Sequence, residues 1–207
     1  IMSKLETNTI DTVSGTSTLQ VGSTNTSTIT LGVSGDTINV PSGVTIANSG
    51  TATGFGGANT PYFYAYRSSN TNISASTWTV VVFNAETLDS GSGFNTSTGI
   101  YTVPSGQGGK YYLEHEVRIE ASTSQVDRIY TYGETGVGTT QYWGNGGLDF
   151  RGNPGQGGSV GGSRILTLAA GDTAKVNIYA GLNTGTPTVL GGSEGYYTYF
   201  LGYKIIE

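Results

Sequence analysis

The sequence contains no cysteine, and it has only one histidine and one methionine among 207 residues. Without thiols the chain forms neither disulfides nor thiolate metal sites, and its redox compartment cannot be inferred. Charged residues make up 11% of the chain, against roughly 25% in average domains, so hydroxyl and amide groups must hydrate the surface. The nine basic residues are scattered and the net charge is −5, which argues against a nucleic-acid partner.

Long apolar runs are missing as well. None approaches the roughly 20 residues that span a bilayer, so we expect no membrane contact. The first six residues, Ile1 to Glu6, lack the basic-then-apolar pattern of a secretory signal, and Met2 resembles a natural initiator, which leaves Ile1 unexplained. We therefore expect a protein that is made in the cytoplasm and assembled or released without Sec export.

The abundant residues are glycine, tyrosine, threonine and serine, with 34 Gly and 14 Tyr. Threonine, tyrosine, valine and isoleucine favour strands, whereas glycine and asparagine favour turns. No long window shows helical periodicity. The composition therefore predicts an all-β protein.

The texture of the sequence predicts three segments: an N-terminal attachment segment (1–20), a Thr/Ser/Gly-rich stalk and hinge (21–60), and a head (61–207). Short apolar pairs alternate with polar residues around and within the stalk, and each pair predicts a very short strand with one apolar face. These pairs are Leu19 and Val21, Ile29 and Leu31, Ile38 and Val40, and Val44 and Ile46. Gly15, Gly22, Gly35, Asn48 and Gly50 are the predicted turns between them.

Two interpretations of the stalk remain open, because such short strands cannot bury enough surface alone. The Ser/Thr/Gly content suits a disordered linker. Alternatively, three identical chains intertwine so that their apolar faces meet on a common axis. The recurring β-branched pairs favour intertwining, since a linker does not need them. Ile29, Leu31, Ile38 and Val40 are therefore candidate trimer-interface residues.

The head contains longer alternating runs joined by glycine-rich turns, which is typical of a sandwich, jelly roll or barrel. The predicted strands are 62–67, 77–83, 99–103, 110–120, 128–132, 164–168, 174–179 and 196–206. The segment from Gly133 to Gly162, with twelve glycines, is predicted to be a long loop.

An ordered series of landmarks runs through the head. It consists of Phe83, Asp89, Phe94, a Gly99-x-Tyr101-x-x-Pro104 hairpin, a Gly109-x-Tyr111 strand, a Leu166-x-Leu168-x-x-Gly171-Asp172 turn and a closing Tyr199-Phe200-x-Gly202 strand. Each landmark is common alone, but together and in this order they resemble the head of the C1q and tumour-necrosis-factor-like superfamily. The resemblance covers residues 61–207. The lengthened hairpin at 105–108 and the long glycine-rich loop depart from the family pattern.

The resemblance implies a jelly-roll sandwich and a homotrimer that packs aromatic and apolar faces about a threefold axis. Phe83, Phe94, Tyr101 and Phe200 are expected in the core. The tyrosine-rich last strand supplies two faces, because alternate residues point to opposite sides. Tyr197, Tyr199 and Tyr203 are accordingly candidate trimer-interface residues.

Enzymatic chemistry has little support. His115 lies between Glu114 and Glu116 on a predicted strand, so it faces away from both, and no nucleophile-elbow motif accompanies it. The two glutamates share a strand face, where solvated carboxylates are routine. We predict that the chain is not an enzyme and that His115 is a packed imidazole. We assign no cofactor and no metal: no Asp-rich loop is present, although some C1q-like heads bind calcium.

The stretch from Tyr142 to Pro154 is the most ligand-like part of the chain, because it combines aromatic and amide side chains with flexible glycines. Its candidate binding residues are Tyr142, Trp143, Asn145, Asp149, Phe150 and Arg151. The alternative is a surface loop that Trp143 and Phe150 only anchor.

This architecture is similar to that of fibre or appendage proteins of bacterial viruses. We expect residues 1–20 to attach to other virion proteins, and the head to recognise a host-surface glycan or protein or to decorate the capsid or tail. A secreted bacterial adhesin or extracellular matrix protein is the alternative, with an extracellular location. A glycan-degrading spike is a third interpretation, which would need clustered acidic residues in a groove.

Overall fold

The computed structural model of the chain describes residues 21–22, 24–47, 59–122, 125–136, 140–182 and 185–205. The chain divides into two compact units, residues 1–52 and 53–207. Over the described residues no helix is long and apolar enough to cross a membrane.

The described part of the first unit, residues 21–22 and 24–47, consists of turns and irregular chain without any strand. A turn at Gly35, which has a φ of +97°, is closed by a hydrogen bond from the Asp36 N–H to the Val33 carbonyl. The predicted turn at Gly35 is confirmed. The strands predicted around Ile29, Ile38 and Val44 do not form within a single chain, because no neighbouring strand there supplies hydrogen-bond partners. The pair Leu19 and Val21 lies partly outside the described residues.

The second unit is built from strands, together with one short 3₁₀ turn at Ser193–Gly195. In the described residues the strands are β1 (Tyr62–Tyr66), β2 (Thr71–Asn72), β3 (Thr79–Val80), β4 (Ala85–Asp89), β5 (Phe94–Asn95), β6 (Ile100–Thr102), β7 (Gly109–Glu120), β8 (Val126–Gly136), β9 (Tyr142–Asp149), β10 (Gly157–Leu168), β11 (Thr173–Leu182), β12 (Thr188–Val189) and β13 (Tyr199–Lys204). The all-β prediction is confirmed.

The strands form two antiparallel sheets. Sheet A has the order β2-β12-β7-β13-β1-β4, with β10 also paired to β7, and sheet B has the order β5-β6-β11-β8-β9, with β3 also paired to β11. The long strands alternate buried and accessible residues, as β7 does from Tyr111 to Glu120. Each sheet therefore turns one face to a shared core and the other outward.

The core lies between the sheets and is rich in aromatic rings. The Phe63 ring stacks on Tyr101 with 4.3 Å between ring centroids and meets Phe200 edge-on at 4.9 Å. Phe83 and Phe94 pack against Phe200 from other directions. All four predicted core aromatics, Phe83, Phe94, Tyr101 and Phe200, are buried, so that prediction is confirmed.

The turn predicted at Gly171-Asp172 forms, and the landmark residue Asp89 also closes a turn. The Asp172 carboxylate accepts a hydrogen bond from the Ala169 N–H at 2.8 Å, and Gly171 has a φ of +88° that glycine adopts without strain. The Asp89 carboxylate accepts bonds from three backbone N–H groups, among them that of Phe94 at 2.9 Å.

The long loop predicted between Gly133 and Gly162 is wrong. This stretch contains the end of β8, all of β9 and the first half of β10. Several of its glycines mark close packing of strands: a Cβ on Gly146 would lie 2.5 Å from the Gly161 carbonyl oxygen, and one on Gly162 would lie 2.4 Å from that of Gly144. Glycine is therefore what lets β9 of sheet B approach β10 of sheet A so closely.

Candidate functional site

The outer face of sheet A carries a continuous layer of tyrosines on strands β1, β13 and β7. We call this surface the tyrosine face; its residues are Tyr62, Tyr64, Tyr66, Tyr112, Tyr199 and Tyr203, with Leu88, Leu201 and Glu114 among them. Strand register brings them together, because Tyr62 pairs with Tyr203, Tyr64 with Leu201, and Tyr203 with Tyr112 on the far side. The predicted interface residues Tyr199 and Tyr203 thus share one face.

The tyrosine face is organised around Glu114. Its two carboxylate oxygens accept hydrogen bonds from the hydroxyls of Tyr112 at 2.6 Å and Tyr199 at 2.9 Å. The bond to Glu114 raises the pKa of Tyr112, and burial together with that bond raises the pKa of Tyr199. The phenols therefore stay protonated donors, and the carboxylate is satisfied within its own chain. Glu114 and Glu116 share this face, as the sequence predicted, and His115 points away from it.

Two depressions mark the tyrosine face. One, of about 310 Å³, is lined mainly by apolar groups of Tyr62, Tyr64, Leu88, Leu201 and Tyr203. Leu88 and Tyr62 are exposed there. The other, of about 550 Å³, lies over β7 and β10; its lining includes Tyr112, Glu114, Glu116, Tyr199 and the small residues 159–163. An exposed apolar surface of this kind is typical of a protein-protein contact.

Tyr197 lies just before β13 and extends the same surface. Its ring is half-buried and lies 5.7 Å from the guanidinium carbon of Arg118. The neighbouring Tyr196 is 81% exposed and meets the Tyr197 ring edge-on at 4.8 Å. All three predicted head residues of the trimer interface therefore lie on one side of the domain. The predicted stalk residues Ile29, Leu31, Ile38 and Val40 are all exposed in the single chain.

His115 points into the core from β7 and is 1% exposed. Its ring meets the Trp143 indole edge-on at 5.3 Å, and neither ring nitrogen has a hydrogen-bond partner. Burial lowers the pKa of His115 to about 4, so the imidazole is neutral at pH 7. The prediction of a packed imidazole is confirmed.

The predicted ligand stretch 142–154 is divided between core and surface. Trp143 is 1% exposed and packs on Phe200, with 5.8 Å between ring centroids, so its side chain belongs to the core and does not offer a binding surface. The sequence did not predict this role, because the glycines that follow Trp143 at 144, 146 and 147 leave the strand without apolar alternation. Tyr142, in contrast, points outward and is 58% exposed.

The remaining candidate binding residues of this stretch do not form a common site. Phe150 packs against the edge of the core, and Asn145 is exposed on β9. Asp149 and Arg151 form an exposed ion pair, and the hydrogen bonds from Arg151 lower the pKa of Asp149 to about 2. Only Tyr142 among the six candidates joins a larger aromatic surface, which lies on the outer face of sheet B. The sequence did not predict this surface, because its other residues come from strands that are far apart in the chain.

No three histidine, cysteine, aspartate or glutamate side chains converge on a common point within the described residues. Asp89, Asp149 and Asp172 are each engaged with nearby backbone or Arg151.

No protein-family model matches the chain, and no curated protein matches it. Solved structures do. The globular domain of zebrafish complement 1qA protein shares 20% identity with a TM-score of 0.51, covering 70% of this chain and 97% of the other. Eiger TNF from S. frugiperda shares 14% with a TM-score of 0.52, covering 70% and 91%. Murine APRIL shares 17% with a TM-score of 0.50, covering 70% and 98%. These likenesses show the fold: the head is an all-β jelly roll of the C1q and TNF type.

Proposed function

We propose that this chain is a trimeric structural protein of a bacterial-virus particle, a fibre or appendage that displays its jelly-roll head on the virion surface. In this proposal residues 1–20 attach to other virion proteins, and three copies of the stalk intertwine through residues 21–60. The head is exposed at the tip, where it recognises a host surface or decorates the capsid or tail. No catalytic role is assigned.

The observation that supports trimerisation most strongly is the tyrosine face. Tyrosine suits an interface that is partly apolar and partly hydrogen-bonded. Leu88 and Leu201 line an apolar depression on this face. Both carboxylate oxygens of Glu114 already accept hydrogen bonds from tyrosine hydroxyls, so burial at this face would leave neither oxygen without a donor. The resemblance to the C1q and tumour-necrosis-factor-like superfamily, which implies a homotrimer, agrees with this choice of surface.

The exposed apolar residues of the first unit support the intertwined stalk. Ile29, Leu31, Ile38 and Val40 alternate with polar residues, and no strand forms over described residues 21–22 and 24–47 in a single chain. Pairing with two other chains would supply both the missing hydrogen bonds and the missing apolar contacts.

The location is tested by immunolabelling with an antiserum raised against the purified chain. We expect electron microscopy to show label on an appendage of virus particles, at the end where the jelly-roll head of this chain is displayed. Label on cell surfaces or on extracellular matrix instead would support the secreted adhesin or matrix protein and overturn the virion assignment. Release of sugars from host polysaccharide by the purified chain would favour a glycan-degrading spike.

A further inference from the structure

A second aromatic surface lies on the outer face of sheet B, opposite the tyrosine face. We call it the aromatic platform; it consists of Trp78, Tyr130, Tyr132, Tyr142 and Tyr179. Trp78 is 45% exposed, and its ring centroid lies 4.6 Å from that of Tyr132 and 5.5 Å from that of Tyr179. Tyr142 meets Tyr132 edge-on at 5.3 Å, and Tyr130 lies 6.2 Å from Tyr179. The five rings therefore form one connected surface.

Strand register builds the platform. On neighbouring strands Tyr130 pairs with Tyr179, and two residues along, Tyr132 pairs with Asn177. Gly147 pairs with Tyr130 on the other side, and the Tyr130 ring occupies the space that a side chain at 147 would need. From the Tyr130 row to the Glu134 row the surface extends about 13 Å along the strands.

The loop before β3 holds Trp78 on this surface. Ser76 has a φ of +56°, a conformation that is uncommon for a residue other than glycine. Its N–H donates to the Ala180 carbonyl at 2.8 Å, which ties the loop to β11 next to Tyr179. The partly exposed Trp78 ring is thus held by a loop in which Ser76 adopts an unfavourable backbone conformation. Such conformations cluster at functional sites.

Two of the cations around the platform are paired with carboxylates. Lys175 lies 3.2 Å from Glu134, which also accepts a hydrogen bond from the Asn177 amide at 3.1 Å. Arg128 lies 3.2 Å from Asp127 and stands over the Tyr179 ring. A polyanion such as nucleic acid would need cations that are not already paired. Among the described residues beside the platform, Arg164 is the one cation without a carboxylate partner; its guanidinium donates to the Tyr142 carbonyl at 3.0 Å. A single such cation does not match a polyanion, so the platform is complementary to a neutral ligand.

Flat aromatic rings with amide, carboxylate and ammonium groups beside them are suited to sugars. The C–H groups on one side of a pyranose ring carry partial positive charge, which the negative face of an aromatic ring attracts. The hydroxyls of the sugar can meanwhile bond to polar groups at the edge of the surface, here Glu134 and Lys175, whose side chains are partly accessible. A few placed polar groups around aromatic side chains orient a ligand and give specificity.

We propose that the aromatic platform binds a neutral saccharide chain, with Trp78 and Tyr142 stacking on sugar rings. This inference rests on the proposed display function and specifies it. If the tyrosine faces meet at the trimer axis, the opposite sheet points away from that axis, so three platforms face outward on one head.

The test is a fluorescence titration of the full-length trimer with neutral oligosaccharides, namely manno-, cello- and chito-oligosaccharides. The chain has two tryptophans, and since Trp143 is buried, a change in emission on binding reports on Trp78. We expect at least one of these sugars to change the emission saturably. Trp78→Ala and Tyr142→Ala should weaken binding on the order of tenfold or more, the usual loss for a stacking anchor. Trp78→Phe should recover part of it.

Tyr196→Ala is the matched control, because Tyr196 is a more exposed aromatic outside the platform. It should leave affinity for the sugar unchanged; for the Trp78 variants, binding is measured by retention on immobilised oligosaccharide. The proposal is overturned if none of the neutral sugars binds, if the Trp78 and Tyr142 variants bind as tightly as the parent chain, or if only an anionic polymer or a protein binds. A native mass measured on the same samples separates this outcome from failure of the trimer, since binding and assembly are read independently.

Discussion

His115 is a buried base without a hydrogen-bond partner, and this makes the stability of the head depend on pH. Its pKa is about 4 in the folded chain and about 6.5 in an unfolded one. The unfolded chain therefore binds the proton more tightly. The stabilising contribution of the neutral imidazole is complete above pH 6.5 and is lost as the pH falls towards 4, for a total of about 3 kcal/mol.

We predict that the denaturation midpoint of the parent chain falls more steeply between pH 6.5 and pH 4 than that of His115→Leu. The leucine variant keeps an apolar side chain beside Trp143 and has no proton to bind. Urea denaturation at several pH values, followed by Trp143 emission, measures the difference. Equal slopes for the two proteins would show that His115 does not carry the acid sensitivity.

Gly133 is the glycine whose lack of a side chain has the clearest consequence. It pairs with Trp143 across β8 and β9, and a Cβ at this position would lie 1.9 Å from an atom of the indole ring. Gly133→Ala must therefore displace Trp143 from the core. We predict a loss of roughly 1–3 kcal/mol in the free energy of unfolding, as in other overpacked cores.

Gly152→Ala is the control for this prediction. A Cβ at Gly152 meets nothing within 4 Å, so the same change of residue type should leave stability almost unaltered. Thermal unfolding of both variants measures the difference, and Gly133→Ala should have the lower melting temperature. Equal melting temperatures would contradict the packing described for Trp143.

At the scale of strands, period-two alternation made some elements predictable from sequence. Tyr199, Leu201 and Tyr203 share a face because alternate residues of a strand do so. This alternation is visible in the sequence of the tyrosine-rich last strand. Strand β9 was not predictable in the same way. Its glycines at 144, 146 and 147 resemble turn residues. Gly144 and Gly146 instead allow the close approach of β9 to β10, and Gly147 makes room for the Tyr130 ring of β8.

The two outer faces differ in what sequence alone could reveal. The tyrosine face draws three of its tyrosines from one short run, 62–66, and two from another, 199–203, so local pattern was enough to find part of it. The aromatic platform combines Trp78 with residues of β8, β9 and β11, which only the pairing of distant strands brings together. Composition could not indicate that pairing.

The tyrosine face gives a prediction at this scale. Leu201→Asp places a carboxylate beside Glu114, its partner in β7, in the middle of the proposed trimer contact. Burying an unpaired charge is costly, so we expect the variant to remain folded but to become monomeric. Sedimentation velocity measures the assembly state, and Trp143 emission verifies the fold.

Asn145→Asp adds the same charge at an exposed position on sheet B and should leave the assembly state unchanged. If Leu201→Asp assembled like the parent chain, the trimer contact would have to lie elsewhere on the head.

The stalk gives the other prediction at this scale. Replacing Ile29, Leu31, Ile38 and Val40 by threonine keeps strand preference while removing apolar surface. We expect the parent stalk to resist limited proteolysis and the fourfold variant to be cut within residues 21–47, leaving the head intact. Thr30→Ala with Asn39→Ala, which changes the alternate polar positions, should preserve resistance. Rapid cleavage of the parent chain in this segment would instead support the linker interpretation.

For the whole molecule, the proposed trimer would involve both units of the chain. Described residues of the stalk expose apolar side chains, and the tyrosine face of the head has an apolar depression; a threefold assembly would supply a partner for each. The same arrangement would direct sheet B, with the aromatic platform, towards the surroundings. Display of three identical binding surfaces raises avidity for a repeating ligand without any new contact within each site.

The most direct test of this account is the native mass of the full-length chain in solution at neutral pH, measured by light scattering after size exclusion and by native mass spectrometry. One chain has a mass of 21.4 kDa, so the trimer should have a mass of about 64 kDa. We predict that the trimer persists on dilution and that Leu201→Asp shifts the mass to that of one chain. A parent chain of 21.4 kDa across the concentration range would contradict the account.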